Sequence, residues 1–217
     1  MNWDYIINNL LPILSEGFLM SLKIFCLTLL FAIPLGVLVA LGRMSRFKPL
    51  SWLMRAYILV MRGTPLLLQL MVVCYGPYYI FEISYDRFLA AIIAFVLNYA
   101  AYFAEIFRGG ILSIPQGQWE ASETLGFTKI QTFFRVILPQ VFKRILPASS
   151  NEVITLVKDT ALAQVIGVIE LFSLAKKQAS NKVNVMPLFI AGIYYLLFNW
   201  LLSFLFSMME RKLDYYK

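Results

Sequence analysis

Residues 120–126 read Glu120-Ala121-Ser122-Glu123-Thr124-Leu125-Gly126, and nine residues later the chain reads Val136-Ile137-Leu138-Pro139. The surrounding stretch, 108–144, sets Arg108, Gln116, Gln118, Glu120, Glu123, Lys129, Arg135, Lys143 and Arg144 among its apolar side chains, which is too polar for an ordinary bilayer crossing. Ile130, Phe133, Phe134 and Ile137 nevertheless recur at helical spacing, which predicts an amphipathic helix outside the bilayer. Gly126 permits a turn or a close approach between two short helical pieces, and Leu125, Phe127, Ile130 and Phe134 can bury against a partner.

The flanks have the opposite character. The 217 residues are 60% hydrophobic and 14% charged, with a mean hydropathy of +0.74, more apolar surface than a soluble globule of this size can bury. Apolar runs at 18–42, 52–80, 88–107 and 187–209 predict membrane helices, the first retained because no cleavable leader pattern precedes it. In the second run Gly63-Thr64-Pro65 bends or opens the helix, since Pro65 lacks an amide donor and crowds the preceding turn. A further crossing at 145–169 contains Asn151, Glu152, Lys158 and Asp159, so it needs a polar face turned into a protein bundle. Gly109-Gly110 is expected to end the third helix and turn the chain toward the cytosol.

Five crossings put the two ends on opposite sides. An outside amino terminus places twelve of the 19 Lys and Arg in cytosolic segments (43–55, 108–144, 211–217) and four outside, which predicts that orientation. Lys176, Lys177 and Lys182 run against the bias. The net charge of +7 therefore reads as a membrane-surface property, and no nucleic-acid partner is expected. Cys26 and Cys74 lie in apolar runs and the chain has no histidine, so neither a disulfide framework nor a His/Cys metal site is expected. The missing histidine base also argues against nucleophilic catalysis, and no Gly-x-x-x-x-Gly-Lys-Ser/Thr phosphate loop occurs.

The motif at 120–139 resembles the cytosolic coupling loop of binding-protein-dependent ABC importer permeases: Glu-Ala-Ala, three residues, Gly, nine residues, Ile, one residue, Leu-Pro. Glu120, Ala121, Gly126, Leu138 and Pro139 match it; Ser122 replaces the second alanine and Val136 the isoleucine. Arg62-Gly63-Thr64-Pro65-Leu66-Leu67-Leu68-Gln69, residues 102–111 and Lys158-Asp159-Thr160-Ala161-Leu162-Ala163 resemble the subgroup that imports polar amino acids. The resemblance spans about residues 15–209 and implies an all-α integral membrane protein with the type I importer permease fold. It would be one domain over 1–217, with a cytosolic coupling loop at about 109–144. It implies two ATP-binding subunits that carry the ATP and Mg, with no cofactor on this chain. It further implies a like or related permease partner, an extracytoplasmic binding protein, and a place in the bacterial cytoplasmic membrane. Glu120, Ala121, Leu125, Gly126, Phe127, Ile130, Phe134, Leu138 and Pro139 would then meet the ATPase.

An amino acid presents an ammonium and a carboxylate, so a route at bilayer depth needs polar partners for both. Glu105 and Asp159 suit positive charge, and Asn98 and Tyr102 suit hydrogen bonding. Arg62 or a helix amino terminus suits the carboxylate. Tyr75 and Gln69 are gate candidates, and Glu152, Thr155 and Asp159 share a helical stripe. Each of these side chains can instead serve helix pairing, Glu105 through Arg108 and Asp159 through Lys158 and Glu152. Two other classes stay open: an ion-driven carrier or channel working without an ATPase, and a membrane assembly subunit with no pore.

Overall fold

The computed structural model describes residues 3–84 and 86–213, and among these the chain is helices joined by short turns, with no strand. Lys217, counted above with the cytosolic tail, lies outside the described residues. α1 (Ile6–Arg43) opens with a π turn and continues past Pro34. There follow α2 (Lys48–Gly63), α3 (Leu66–Phe81), α4 (Arg87–Leu112), α5 (Gln116–Thr124), α6 (Leu138–Asp159), α7 (Leu171–Lys182) and α8 (Met186–Leu213). The turns Lys129–Gln131 and Thr132–Ile137 lead directly into α6, and a 3-10 turn, Thr160–Ile166, extends its far end.

α4 is the central helix, because its small residues allow neighbours to approach. Ala90, Ala91, Ala94, Ala100, Ala101 and Ala104 are all buried, and a Cβ on Gly36 of α1 would sit 2.9 Å from Phe103 Cβ. In their most apolar windows, 61% of α4 is buried within the chain against 11% of α8, so α8 is left facing lipid or another subunit.

Among the described residues, α1, α4 and α8 are long and apolar enough to cross a membrane, and the α2–α3 pair becomes a fourth if its two halves form one span. By length and composition alone that is fewer than the expected five. The second crossing is two helices meeting at 109°, a sharper break than a bend within one helix. The crossing expected at 145–169 falls short because Glu152, Lys158 and Asp159 interrupt it and its last turn tightens to 3-10. Its apolar face is still buried: Val153, Leu156 and Val157 join the main core with Phe95 and Tyr99 of α4. Gly109-Gly110 does not end α4, which continues to Leu112. Gly110 is instead a packing glycine, since a Cβ there would overlap Ile145 of α6.

The segment 170–186, expected as a connector, folds as α7 around a fully buried carboxylate. Glu170 accepts hydrogen bonds from the amides of Phe172 (2.8 Å) and Ser173 (2.7 Å), and from the hydroxyls of Tyr195 (3.3 Å) and Ser21 (3.4 Å). Ser173 reciprocates, its Oγ accepting from the Glu170 amide at 2.9 Å, so the pair forms a capping box that ties α7 to α1 and α8. Burial pushes the Glu170 carboxyl up, and the amide and hydroxyl donors pull against that shift. Each donor left unpaired in such a site costs about 1–3 kcal/mol. Glu170→Ala is therefore expected to lower the thermal-unfolding midpoint of the purified protein by several degrees. Glu170→Gln, which keeps an acceptor oxygen, is expected to lower it less.

Candidate functional site

Two regions carry the residues singled out from the sequence. The first is the platform at 113–139. α5 ends in a Schellman motif, with Phe127 N–H donating to Ser122 O (3.1 Å) and Gly126 N–H to Glu123 O (2.9 Å). This closure puts Gly126 at φ +79°, the left-handed region. Thr128 then caps the next helix: its Oγ1 accepts from Gln131 N–H (3.3 Å) while Gln131 Oε1 accepts from Thr128 N–H (2.9 Å). The expected pair of helical pieces is present, but the second is continuous with α6.

Beneath the platform Ile114, Ile137, Val141 and Ile145 form a small core with Trp119, Phe133 and Val136. Gln140 bridges to Gln118 (3.1 Å), and an Arg144 guanidinium nitrogen donates to Ser113 O. Ser122, the departure from the second alanine, is buried with its hydroxyl donating to Gln118 O at 2.7 Å. Above it, Leu125, Ile130 and Phe134 are 76%, 73% and 61% exposed. Glu120, Ala121 and Pro139 are also exposed, and Phe127 and Leu138 are half-buried. A rigid polar base thus presents large apolar side chains that the chain itself does not cover, as a docking surface does.

The second region surrounds the break between α2 and α3. In a continuous helix Met61 C=O would accept from the amide of residue 65, and Pro65 has none. Asn98 Nδ2 donates to Met61 O (3.0 Å) and to Gln69 Oε1 (2.9 Å). Gln69 Nε2 lies 2.9 Å from Met61 O, 2.8 Å from Thr64 Oγ1 and 3.1 Å from Thr64 O, three acceptors for two hydrogens. Asn98 and Gln69, candidates for substrate contact and gating, therefore seal the break. Tyr57 of α2 adds a hydroxyl donation to Leu97 O.

The charged candidates sort themselves by partner. Glu105 is held by Arg108 through two bonds, 2.6 and 3.0 Å, as the pairing alternative had it. Asp159 accepts from the buried Tyr99 hydroxyl at 2.8 Å, a partner the sequence reading missed. Arg62 places its guanidinium carbon 5.1 Å from the centre of the Tyr102 ring, and its charge acts on Glu152 and Glu105. Tyr102 in turn lies 6.3 Å from the Tyr99 ring. Tyr75 is exposed on α3, six residues beyond Gln69. Arg62 and Tyr102 thus meet next to the sealed break, and Tyr102 and Asp159 both border Tyr99, so side chains of three helices form one chain of contacts. Tyr99 was detectable from the Phe95-Tyr99-Tyr102 spacing, and Glu170 from the reciprocal Glu-x-x-Ser cap at 170–173.

The family described as binding-protein-dependent transport system inner membrane component matches residues 32–215. The chain belongs to this family. The permease is 43% identical over 216 residues to the L-cystine transport system permease protein TcyB of Bacillus subtilis (strain 168), covering 99% of this chain and 92% of that one. It is 39% identical over 204 residues to the arginine transport system permease protein ArtQ of the same organism, covering 94% and 93%. It also superposes on the crystal structure of an amino acid ABC transporter with histidines, with a TM-score of 0.88 at 35% identity, over 98% of this chain and 100% of the other. The platform and the sealed break are therefore parts of an importer's membrane subunit.

A Cβ on Gly126 would meet nothing within 4 Å, so a substitution there costs only the left-handed backbone. Gly126→Ala is expected to destabilise the permease by about 1–2 kcal/mol. Gly126→Asn is expected to cost less and Gly126→Val more, an order that chemical-denaturation midpoints would check.

Proposed function

We propose that this permease is the membrane subunit of an ATP-driven importer of polar amino acids, with basic side chains ahead of neutral ones. The observation that carries the reading is that Tyr102 and Asp159 both border Tyr99 near the break, with Glu152 on the same helix as Asp159. Glu152 and Asp159 stand two turns apart on α6, and Glu105 is already engaged by Arg108. An aromatic face next to two carboxylates suits an ammonium or guanidinium group. The names of ArtQ, an arginine system, and TcyB, a cystine system, support the amino-acid class. The greater identity to TcyB favours cystine as the second reading.

Two such chains, alike or related, enclose the route, since a few helices per chain cannot surround a hydrophilic path alone. α8, barely buried within its own chain, is available to a second subunit. ATP and Mg bind the partner ATPase. ATPase closure, transmitted through Leu125, Ile130 and Phe134, shifts the permease between outward and inward states according to their relative affinities for ligand and nucleotide. An extracytoplasmic binding protein delivers the substrate. The amino terminus is outside and the platform cytosolic, as the basic side chains favour.

Flux by the complex reconstituted with its ATPase and binding protein, competed by Arg, Gln, Glu and cystine, tests the substrate class. Arginine is expected to compete best, and competition by cystine alone would select the second reading. For sidedness, Lys129→Cys is expected to resist a membrane-impermeant thiol reagent added outside intact cells and to react in inverted vesicles. Labelling from outside would invert the topology. Gly126→Trp is expected to leave ATP hydrolysis running while import falls at least tenfold; coupled flux at the unmodified level in an assembled complex would argue against docking there.

A further inference from the structure

Arg62 is the penultimate residue of α2, next to the break, and so belongs to the one element here whose geometry turns through 109°. Its guanidinium lies over the face of Tyr102 at 5.1 Å. Its charge also acts on Glu152 and Glu105; Glu105 is held by Arg108, and Asp159 has Tyr99 and the adjacent Lys158. An aromatic face and a carboxylate are the surroundings a protein offers a cationic ligand.

We propose that Arg62 is a resident counter-ion, occupying the cation position beside Tyr102 and Glu152 that a cationic substrate must take over. This inference rests on the basic-substrate reading above and specifies how that site is regulated. A half-buried acid, Glu152, left without a nearby cation inside the bundle would be costly and would attract inorganic cations. A tethered, planar guanidinium neutralises it without filling the route permanently. Because it is anchored at the break, a change in the α2–α3 angle withdraws it. Substrate entry and bending at Gly63-Thr64-Pro65 are then one exchange, in which one cation leaves the Tyr102 face as another arrives. A carboxylate-binding role for Arg62, the sequence-based expectation, makes the opposite prediction about its removal.

The test uses the permease assembled with its ATPase and measures equilibrium binding of two probes, arginine and agmatine, the second lacking the carboxylate. A competitor that fills the site nine-tenths of the time weakens apparent binding about tenfold. Arg62→Gln is therefore expected to tighten binding of both probes, by about threefold to tenfold. Arg62→Lys keeps the charge on a compact, strongly hydrated head that holds the ring less well, so a smaller tightening of agmatine binding is expected. Weaker arginine binding with unchanged agmatine binding in Arg62→Gln would overturn the proposal and make Arg62 a carboxylate ligand. Unchanged binding of both would overturn it as well. If the Gln variant does not assemble, a Lys variant indistinguishable from the unmodified complex overturns it. Failure of the substrate reading gives a different result: arginine then fails to compete for flux in the unmodified importer, while the agmatine comparison still reports on Arg62.

Discussion

The carbonyl of Met61 has no amide to accept from, because the residue four positions on is Pro65, and a bare carbonyl at bilayer depth is expensive. Asn98 reaches across from α4 to supply the missing donor, and Gln69 supplies another from the first turn of α3. That exchange turns a proline defect into a defined bend. It also ties the break to the central helix, so that Arg62, at the lip of the bend, is delivered to the ring of Tyr102 one turn along α4 from Asn98. The polar cluster depends on this seal: without it α2 and α3 would have no fixed angle, and the charge of Arg62 no fixed address.

The same helix connects the bend to the platform. Near its carboxyl-terminal end Gly110 lets Ile145 of α6 approach so closely that any larger residue there would overlap it, and Ile145 belongs to the small core beneath α5. In the proposed cycle, movement imposed on Leu125, Ile130 and Phe134 would pass into α6 through this packed contact and through the continuous helix that starts at Lys129. α6 carries Glu152 and Asp159. A push at the docking surface and a change in the cation site are thus linked by rigid, packed elements, which is the physical requirement for coupling between distant sites.

Much of this was legible in the residue order. The helical periodicity at 130–137, the glycine at 126 and the capping residues after it specify the platform, because local backbone geometry there is decided by neighbours in sequence. Pro65 announced the break for the same reason. The roles of Asn98 and Gln69 were legible only as alternatives: Asn98 read as a substrate contact or an interhelical hydrogen bond and Gln69 as a gate or a packed side chain, and only the folded chain brings Met61 O to 3.0 Å from Asn98. The Tyr99–Asp159 and Glu170–Tyr195 pairings and the packing role of Gly110 were hidden likewise, since each depends on a partner 25 or more positions away, although the residues Tyr99 and Glu170 themselves carried local signals. The polar helix α6 was anticipated as a difficult span, and of its acids Asp159 meets the Tyr99 hydroxyl and the charge of Lys158 while Glu152 meets the charge of Arg62.

The central claim, that Asn98 and Gln69 act together as the seal of the α2–α3 break, is tested most directly by a double-mutant cycle on unfolding free energy. It compares Asn98→Ala, Gln69→Ala and the pair in the purified permease. Side chains sharing one hydrogen-bond network are coupled, and a non-additive term of about 1 kcal/mol or more is predicted. Additive losses within about 0.3 kcal/mol would contradict the account, showing that the two side chains act separately and that the bend holds without a joint seal.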